Sequence, residues 1–534
     1  MYKPRSVLVV GGGLAGWITA TYLHAALNRG GRRLCDVSLV DVQEAAPERG
    51  AEGSLPELNR YLAMLGIDQR RFMQQVGCTF SQGTRFAGWL TGTGEDYFHP
   101  YSFERPGSVD RAGEHWLRSN RSIPFADTVS VQPALCRQDL APLMLGPWDF
   151  GAPLAYGFHL DRARFRDFLK MLGSAGAIRQ FAEPAVRAEV AGDGHIGSVV
   201  TAGERRLTAD LYVDCSDEAG LLMEALGIPW VDQSGMLPCD RVVSTNVPYE
   251  ARYPGYVHPY TTATALQTGW LQEIPLLDGR SLRQFYASDL LSDDEAAGSL
   301  TGAAGGQGTF VDAAAEPLRT AHRERAWVGN CIAIGAAASA IEPLESTRLY
   351  LVHHAAAMLA EHFPLGSSLE PLSFRYNRTV VNRFYELLDF ANLHYCLSQR
   401  DDSEFWSRTR QPSRITDRLA AKLDFWRQKR PTPADFEDQR LPGQRSPETI
   451  APSTSTDPRE PVDTAGLWDH ENYEAVLYGM NFLSRECDQW YGKERPDTVV
   501  PPHIASRVAR APAKLPPHTT WLQEVLGMPS YPSR

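Results

Sequence analysis

The hydrophobic pattern at the start of the chain has the order of a β-strand, a turn and an α-helix. The apolar run VLVV enters a glycine cluster, and the chain continues as the apolar helical segment ITATYLHAAL. Gly11, Gly13 and Gly16 fit G-x-G-x-x-G, in which the glycines make the turn, admit a pyrophosphate and let the helix pack on the strand. A second strand over residues 36–40 ends at Asp41, a carboxylate placed to accept from a ribose hydroxyl. The unit predicts nucleotide binding at the start of the first helix.

Further along the chain the pattern predicts a strand-rich part and then a helical part. Helices are predicted at residues 57–65, 162–172 and 349–362, and strands at residues 80–89, 211–216 and 325–335. Residues 375–429 are helical and aromatic, and residues 473–483 form an amphipathic segment. Residues 430–461 are rich in Pro, Ser, Thr and Asp, which predicts a long loop.

Composition narrows the class of protein. The 534 residues are 43% apolar and 22% charged, which is typical of a globular protein with more than one core. The net charge of −11 disfavours nonspecific binding to nucleic acid or to an anionic membrane. No apolar run is long enough to span a bilayer, and the chain enters the glycine unit with no room for a signal peptide, so we expect a cytoplasmic protein. The eight cysteines are scattered, which predicts neither a metal site nor a disulfide framework.

Three stretches carry candidate chemistry, and each has a structural alternative. The strand ending at Gly335 and the turn after it place N–H donors where an anion or a flavin edge could bind. Glu345 in that turn is either a general base or a carboxylate at the start of a helix. Arg85 is either functional or an exposed arginine on a strand. The aromatic residues of 375–429 are more typical of a core than of a substrate pocket.

Together these segments resemble the flavin-dependent tryptophan halogenases over roughly residues 5–490. The matching segments are GGGLAGW at 11–17, Glu52 before SLP, DCS at 214–216, LPCDR at 237–241, WVGNCIAIG at 327–335, PLEST at 343–347 and LHY at 393–395 before Phe405 and Trp406. The resemblance implies an α/β fold, a Rossmann-like FAD-binding flavoprotein monooxygenase type with a mainly helical substrate-binding module. We expect residues 1–370 to form the FAD-binding domain and residues 371–534 the helical module with its proline-rich loop and tail.

The resemblance also implies the cofactors and the chemistry. In the family, FADH2 from a separate flavin reductase reacts with O2 to a C4a-hydroperoxide, chloride attacks that peroxide, and hypochlorous acid passes through a tunnel to a lysine beside the aromatic substrate. Family substrates are usually tryptophan or another indole held between aromatic rings. The partners implied are therefore an aromatic substrate, free or bound to a carrier or peptide, and a flavin reductase, with a homodimer as a further option.

Carried over residue by residue, the resemblance assigns three sets of site residues. The cofactor-binding set is Gly11, Gly13, Ala15, Gly16, Asp41, Glu52, Gly335, Pro343 and Leu344. The catalytic set is Glu345, Ser346 and Arg85, with Thr347 and Arg348 at the halide position. The substrate pocket is assigned to His394, Tyr395, Phe405 and Trp406.

The sequence departs from the family pattern at three places that concern halogen. Arg85 stands where we align the family lysine before an aromatic-x-x-Trp run, and a guanidinium does not readily become a chloramine because it stays protonated. Gln272 replaces the second tryptophan of the motif G-W-x-W-x-I-P. Arg348 replaces the glycine after Glu-Ser-Thr, where close backbone approach to an anion is expected.

These departures leave three hypotheses. The leading one is an FAD-dependent oxygenase of an electron-rich aromatic in secondary metabolism, with Glu345 as a base or positioning carboxylate and Arg85 as a hydrogen-bond donor. The second is a halogenase in which Arg85 directs hypohalous acid without covalent capture. The third is a non-catalytic flavin-binding partner protein.

Overall fold

The computed structural model describes residues 4–42, 48–104, 111–146, 154–176, 178–249, 257–305, 315–366, 368–436, 467–485 and 495–529. Within these ranges no helix is both long enough and apolar enough to cross a membrane. Most of the predicted loop at 430–461 lies outside them.

The first sheet has eight strands around the predicted nucleotide-binding unit. Their order is Arg206–Leu207, Ile196–Thr201, Arg179–Val190, Cys35–Val42, Arg5–Val10, Leu211–Asp214, Cys331–Ala333 and Trp327–Val328. Arg5–Val10 pairs in parallel with both of its neighbours, as expected of a buried β-branched run covered on both faces. The helix Leu14–Leu27 packs on this sheet and against two further helices, Arg162–Gly176 and Arg348–Glu361. The predicted α/β, Rossmann-like architecture is confirmed.

A second sheet of seven strands carries the functional loops. Its order is Glu316–Pro317, Arg241–Pro248, Gly279–Tyr286, Gly269–Pro275, Thr261–Leu266, Gly83–Ala87 and Asp96–Pro100. Two small sheets complete the strands, one of Trp230–Asp232, Ala321–Arg323 and Ser339–Ala340, the other of Ala51–Gly53, Gly157–Asp161 and Thr79–Ser81.

The described part of the chain after residue 370 is built from helices, as the pattern predicts. They are Glu370–Cys396, Glu404–Thr409, Asp417–Trp426, His470–Gly479, Pro502–Arg510 and His518–Trp521, continued by a π-turn at Leu522–Leu526. The remaining α-helices are Glu57–Met64, Gln69–Val76, Ala112–Arg118, Phe125–Val129, Gln132–Arg137, Leu221–Ala225 and Asp293–Ala303. Trp521 and Leu522 pack into the core of the first sheet, so the end of the chain returns to the predicted cofactor half. The domain boundary at residue 370 stays a prediction.

Candidate functional site

The glycine turn has the close packing that its motif predicts. Gly11 has φ +114°, and a Cβ atom there would lie 2.2 Å from the carbonyl oxygen of Cys215. A Cβ atom on Gly16 would lie 1.9 Å from the carbonyl oxygen of Gly11. Neither position has room for a side chain, so both glycines are required for the helix to approach the strand.

Two backbone N–H groups at this turn donate hydrogen bonds to carboxylate side chains of the same chain. Oε1 of Glu48 accepts from the backbone N–H of Leu14 at 2.7 Å, in the first turn of the helix that follows Gly13. Oδ1 of Asp41 accepts from the N–H of Gly12 at 3.0 Å. An anion therefore already occupies part of the place where the sequence predicts phosphate, which agrees with the positive end of a helix dipole. The ribose contact expected of Asp41 stays a prediction.

Glu48 is the first of four charged groups that run from the turn to the halide position. Arg162 holds Glu48 through Nε at 2.9 Å and Nη2 at 2.6 Å, and its Nη1 lies 3.4 Å from Oε2 of Glu52. Nη1 of Arg348 lies 3.7 Å from the same Glu52 oxygen. Burial would raise the pKa of Glu48, but Arg162 and the Leu14 N–H outweigh it and lower that pKa. A flavin bound beside this turn would therefore lie next to a row of four charged side chains.

The remaining predicted cofactor positions are Gly335, Pro343 and Leu344. Gly335 has φ +74° and lies against Ala15, since a Cβ atom on Gly335 would be 2.9 Å from that of Ala15. The carbonyl of Pro343 accepts from Nε2 of Gln272 at 3.3 Å, and Leu344 is buried. The N–H groups of Gly12 and Leu14 are donors of the kind that bind a dinucleotide phosphate, and their contact with FAD stays a prediction.

The loop of residues 341–347, here called the glutamate loop, places Glu345 between two buried histidines. Nδ1 of His99 lies 2.9 Å from Oε1 of Glu345, and Nε2 of His394 lies 3.2 Å from the same oxygen. The strand Asp96–Pro100 supplies His99, and the helix Glu370–Cys396 supplies His394. All three side chains are at most 3% exposed. The other Glu345 oxygen, Oε2, has no hydrogen-bond partner within the described ranges.

The hydrogen-bond partners assign the proton state of each histidine. Asn472 donates its amide N–H to Asp469 at 2.9 Å, so its oxygen faces Nε2 of His99, also at 2.9 Å. His99 therefore has an acceptor on each nitrogen, which requires a proton on both. The Tyr97 hydroxyl lies 2.5 Å from Nδ1 of His394, whereas Nε2 of that ring, 3.2 Å from Glu345, has no hydrogen-bond partner among the described residues. His99 is therefore cationic, and His394 is neutral because burial lowers its pKa.

The electrostatics agree with this assignment. Burial would raise the pKa of Glu345, but the charge and hydrogen bond of His99 and the nearby ring of His394 lower it to about 2. Burial works against a charged His99, yet Glu345 raises the pKa of that imidazole above its ordinary value. For His394, burial lowers the pKa, and the Glu345 carboxylate 3.2 Å away opposes this effect only in part. Glu345 is an ionised carboxylate paired with one imidazolium.

Aromatic rings surround this ion pair. Phe86 stacks on His394 with ring centres 4.4 Å apart, and Trp468 lies 5.3 Å from His99. Phe390 contacts both histidine rings and stacks on Trp468 at 4.7 Å. The indole nitrogen of Trp468 is buried and has no acceptor among the described residues. A flat apolar molecule would pack favourably against these aromatic rings.

A second buried glutamate, Glu342, lies three residues before Glu345 in the same loop. Its Oε1 accepts from the indole N–H of Trp270 at 2.6 Å and from the hydroxyl of Tyr395. Burial raises the pKa of Glu342 to about 7, and the two neutral donors offset this only in part. Of the predicted pair His394 and Tyr395, the structure brings the first to Glu345 and the second to Glu342.

The placement of Arg85 corrects the sequence interpretation. The predicted strand at 80–89 is two strands, Thr79–Ser81 and Gly83–Ala87, in different sheets. Within the second one, Thr84 and Phe86 are fully buried, so Arg85 points to the other face, where it is 42% exposed and pairs with Asp96 at 2.5 Å. Arg85 is therefore not brought to Glu345.

The other assigned residues lie within or behind the glutamate loop. Ser346 has φ +57°, a backbone conformation that is strained for a residue with a side chain. Thr347 precedes the helix that begins at Arg348, and its side chain makes no capping hydrogen bond. Phe405 and Trp406 pack behind Tyr395, and the indole N–H of Trp406 donates to the carbonyl of Leu266 at 2.7 Å. These two rings fill core in this structure, and their role as pocket walls stays a prediction.

Several site residues escaped the sequence interpretation. His99 and Asn472 are far apart in the chain, and nothing local marks either as a partner of Glu345. Ser81 is buried, and its hydroxyl donates to that of Tyr101 at 3.3 Å. The alternation of apolar and polar positions around Phe86 is the one sequence signal that indicates a position outside the site for Arg85. The described residues contain no group of three or more His, Cys, Asp or Glu arranged to hold a metal ion.

Comparisons with known proteins agree with this architecture. The family model described as tryptophan halogenase matches residues 6–495. The tryptophan 7-halogenase KtzQ of Kutzneria sp. (strain 744) is 30% identical over 507 residues, which cover 90% of each chain. The tryptophan 6-halogenase SttH of Streptomyces toxytricini is 29% identical over 80% of this chain and 84% of its own length.

A solved structure is similar over the full length. The crystal structure of a tryptophan halogenase from Shewanella frigidimarina NCIMB 400 superimposes with a TM-score of 0.85 at 26% identity and covers 100% of both chains. With the nucleotide-binding turn, the glutamate loop and the helical part all in place, the chain belongs to the tryptophan halogenase family of flavin-dependent, oxidoreductase-type enzymes.

Proposed function

We propose that this enzyme halogenates an electron-rich aromatic compound bearing a ring N–H, such as an indole, with reduced FAD and O2. The observation that carries the proposal is Glu345: it is ionised, buried among aromatic rings, and has one oxygen, Oε2, without a partner among the described residues. A ring N–H is the complementary group, because it donates one hydrogen bond and brings an apolar face. Tryptophan, the substrate named for KtzQ and SttH, has such a ring.

The chain's own residues have separable roles in this proposal. Oε2 of Glu345 accepts the ring N–H and gains strength as the ring becomes electron-poor during attack. His99 keeps Glu345 ionised. The N–H of Leu14 and Arg162, which hold Glu48 in this structure, would hold a phosphate of FAD. When bound, reduced flavin with O2 supplies the oxidising equivalents. A separate flavin reductase would deliver that cofactor.

The test is a reaction of purified protein with FAD, a flavin reductase, NADH, O2, sodium bromide and a panel of indoles, followed by mass spectrometry. The isotope doublet of bromine in a product supports halogenation. A product that gains one oxygen atom in place of bromine overturns it. FAD binding is measured separately by fluorescence, so that a wrong substrate panel is not mistaken for a failure to load cofactor.

Oxygenation is the second candidate, and the distribution of lysines favours it. Of the lysines in the described ranges only Lys422 is buried, and its ammonium lies 4.0 Å from Asp389, away from the glutamate loop. With Arg85 on the surface, the described residues around Glu345 include no amine to capture hypohalous acid. For halogenation we therefore expect an oxidant that is held by hydrogen bonds and is not captured covalently.

A further inference from the structure

Tyr101 stands in the same row of side chains as His99, the partner of Glu345. The backbone N–H of Tyr101 donates to the carbonyl of Gln82 at 3.2 Å, which extends the pairing of the strand that carries His99 by one position. Alternate residues of a strand share a face, and two residues span about 7 Å. Tyr101 therefore follows His99 on the side of the glutamate loop.

The phenol of Tyr101 has a proton that no described residue accepts. Its oxygen accepts a hydrogen bond from the Ser81 hydroxyl at 3.3 Å, and its own O–H donates to no group among the described residues. Tyr101 is partly exposed, whereas Ser81 is fully buried. Burial raises the pKa of Tyr101 more than the hydrogen bond from Ser81 lowers it, and the charge of Glu345 adds to the rise. The phenol is therefore protonated at neutral pH and available as a donor.

Ser346 connects this phenol with the predicted cofactor side. A Cβ atom on Gly53 would lie only 2.2 Å from the Ser346 hydroxyl, so that hydroxyl lies directly against the residue after Glu52, a member of the row of four charged side chains. The same hydroxyl acts on the phenol of Tyr101 and lowers its pKa, against the larger effect of burial. Tyr101 is therefore in the region that joins the charged row to the carboxylate of Glu345.

Other donors of the site are already used or lie elsewhere. Both nitrogens of His99 face acceptors, and Arg85 pairs with Asp96 on the exposed face of its strand. The indole N–H of Trp468 has no acceptor among the described residues, but its ring stacks on Phe390 of the long helix and makes no ring contact with Tyr101. The phenol is the donor that faces the cofactor side.

We propose that the phenol of Tyr101 donates the hydrogen bond that holds hypohalous acid beside the substrate ring. The inference rests on the proposed function, which supplies that oxidant. As the oxygen–halogen bond breaks, the halogen bonds to a ring carbon and the oxygen keeps the electron pair. The O–H of Tyr101 stabilises the negative charge that develops on this oxygen. The oxygen then takes the proton that the ring carbon loses and leaves as water.

The test is Tyr101→Phe in the bromide reaction, with monochlorodimedone as a soluble trap for hypobromous acid that escapes. We expect formation of the brominated product to fall by about 10²-fold, the effect of removing one donor from a developing anion, while O2 consumption is unchanged and the trap is brominated instead. Tyr61→Phe is the matched control, because it removes a buried phenol that lies 2.6 Å from the Thr21 hydroxyl outside the site. It should behave as the parent does.

A second measurement locates the oxidant on the protein itself. The enzyme turns over with bromide but without an aromatic substrate, and peptide mass spectrometry then maps bromine on the tyrosines. A phenol that contacts hypobromous acid gains bromine at a ring carbon, and the displaced proton leaves in water. We expect bromine on Tyr101 before Tyr22, a partly exposed tyrosine outside the site. Bromine on Tyr22 with none on Tyr101 would overturn the proposal.

The outcomes separate this inference from the proposed function. Unchanged product formation by Tyr101→Phe, with no hypobromous acid reaching the trap, would refute the donor and leave the proposed function intact. If Tyr101→Phe does not fold, Ser81→Ala keeps the phenol but removes the hydroxyl that bonds to it, and the same escape should appear at a smaller size. A parent enzyme that yields neither brominated product nor bromotyrosine would refute the proposed function and this inference with it.

Discussion

Two glutamates three residues apart in one loop hold opposite charge states, although both are fully buried. Glu345 faces an imidazolium and a neutral imidazole, which lower its pKa to about 2. Glu342 faces an indole N–H and a phenol, and burial raises its pKa to about 7. The difference teaches that burial alone does not determine whether a carboxylate is charged; a cationic donor reverses its effect, and neutral donors do not.

The comparison also separates two roles. Each glutamate has one oxygen, Oε2, without a partner among the described residues, so the difference lies in the charge. Glu345 offers a ligand an ionised oxygen, whereas the Glu342 oxygen that accepts from Trp270 and Tyr395 fixes the packing of the loop against the sheet and the long helix. We therefore expect chemistry to depend on Glu345 and pH-dependent stability to depend on Glu342.

The largest effect is expected for Glu345→Gln. Removing the charge should lower kcat/KM by about 10²–10⁴-fold, the range of a positioned acid–base group, and should lower the pKa of His99 because its anion is lost. Product formation by mass spectrometry and histidine titration by NMR measure the two effects. Glu342→Gln is the matched control, and activity of Glu345→Gln within threefold of the parent would contradict the assignment.

Removing the cation should be the next largest effect. His99→Leu leaves the Glu345 carboxylate buried without its imidazolium, and we expect the free energy of unfolding in urea to fall by about 2–4 kcal/mol at pH 7. The double variant His99→Leu/Glu345→Gln removes both charges and should recover part of that loss. Strict additivity of the two single changes would show that the groups are not coupled.

The pH dependence of stability should follow Glu342. Its pKa in the folded protein is above the ordinary value of 4.5, so its contribution to stability is complete below about pH 4.5 and is lost as pH rises through about 7. The shift corresponds to about 3 kcal/mol over that window. Glu342→Gln keeps an acceptor for Trp270 and Tyr395, and its urea unfolding should lose this pH dependence. An unchanged pH profile would mean that Glu342 is already ionised in the folded state.

The smallest effect is expected for Arg85→Gln. An exposed ion pair contributes about 0–1 kcal/mol, so both stability and activity should change little, less than threefold for kcat/KM. Asp96→Asn is the matched control from the other side of the pair. A loss of activity comparable with that of Glu345→Gln would show that Arg85 acts in the site and would contradict its position on the exposed face of the strand.

The sequence allowed the cofactor half to be predicted because its signals are local. Gly11 and Gly16 are required by close contacts within one turn. The glutamate loop follows the strand Cys331–Ala333 after a turn at Gly335–Ala337 and the short strand Ser339–Ala340. The partners of Glu345 could not be predicted, since His99 and Asn472 reach it by tertiary packing from two other elements. For Arg85 the sequence left a functional and an exposed position open, and the structure has it half-exposed beside Asp96, since its neighbours Thr84 and Phe86 are buried.

The carboxylate of Glu48 on the first helix has a consequence for loading the enzyme. Any nucleotide phosphate that binds the N–H of Leu14 must displace the Glu48 carboxylate. Arg162, which now pairs with Glu48, must release it in the same event. Loading is then an exchange of one anion for another.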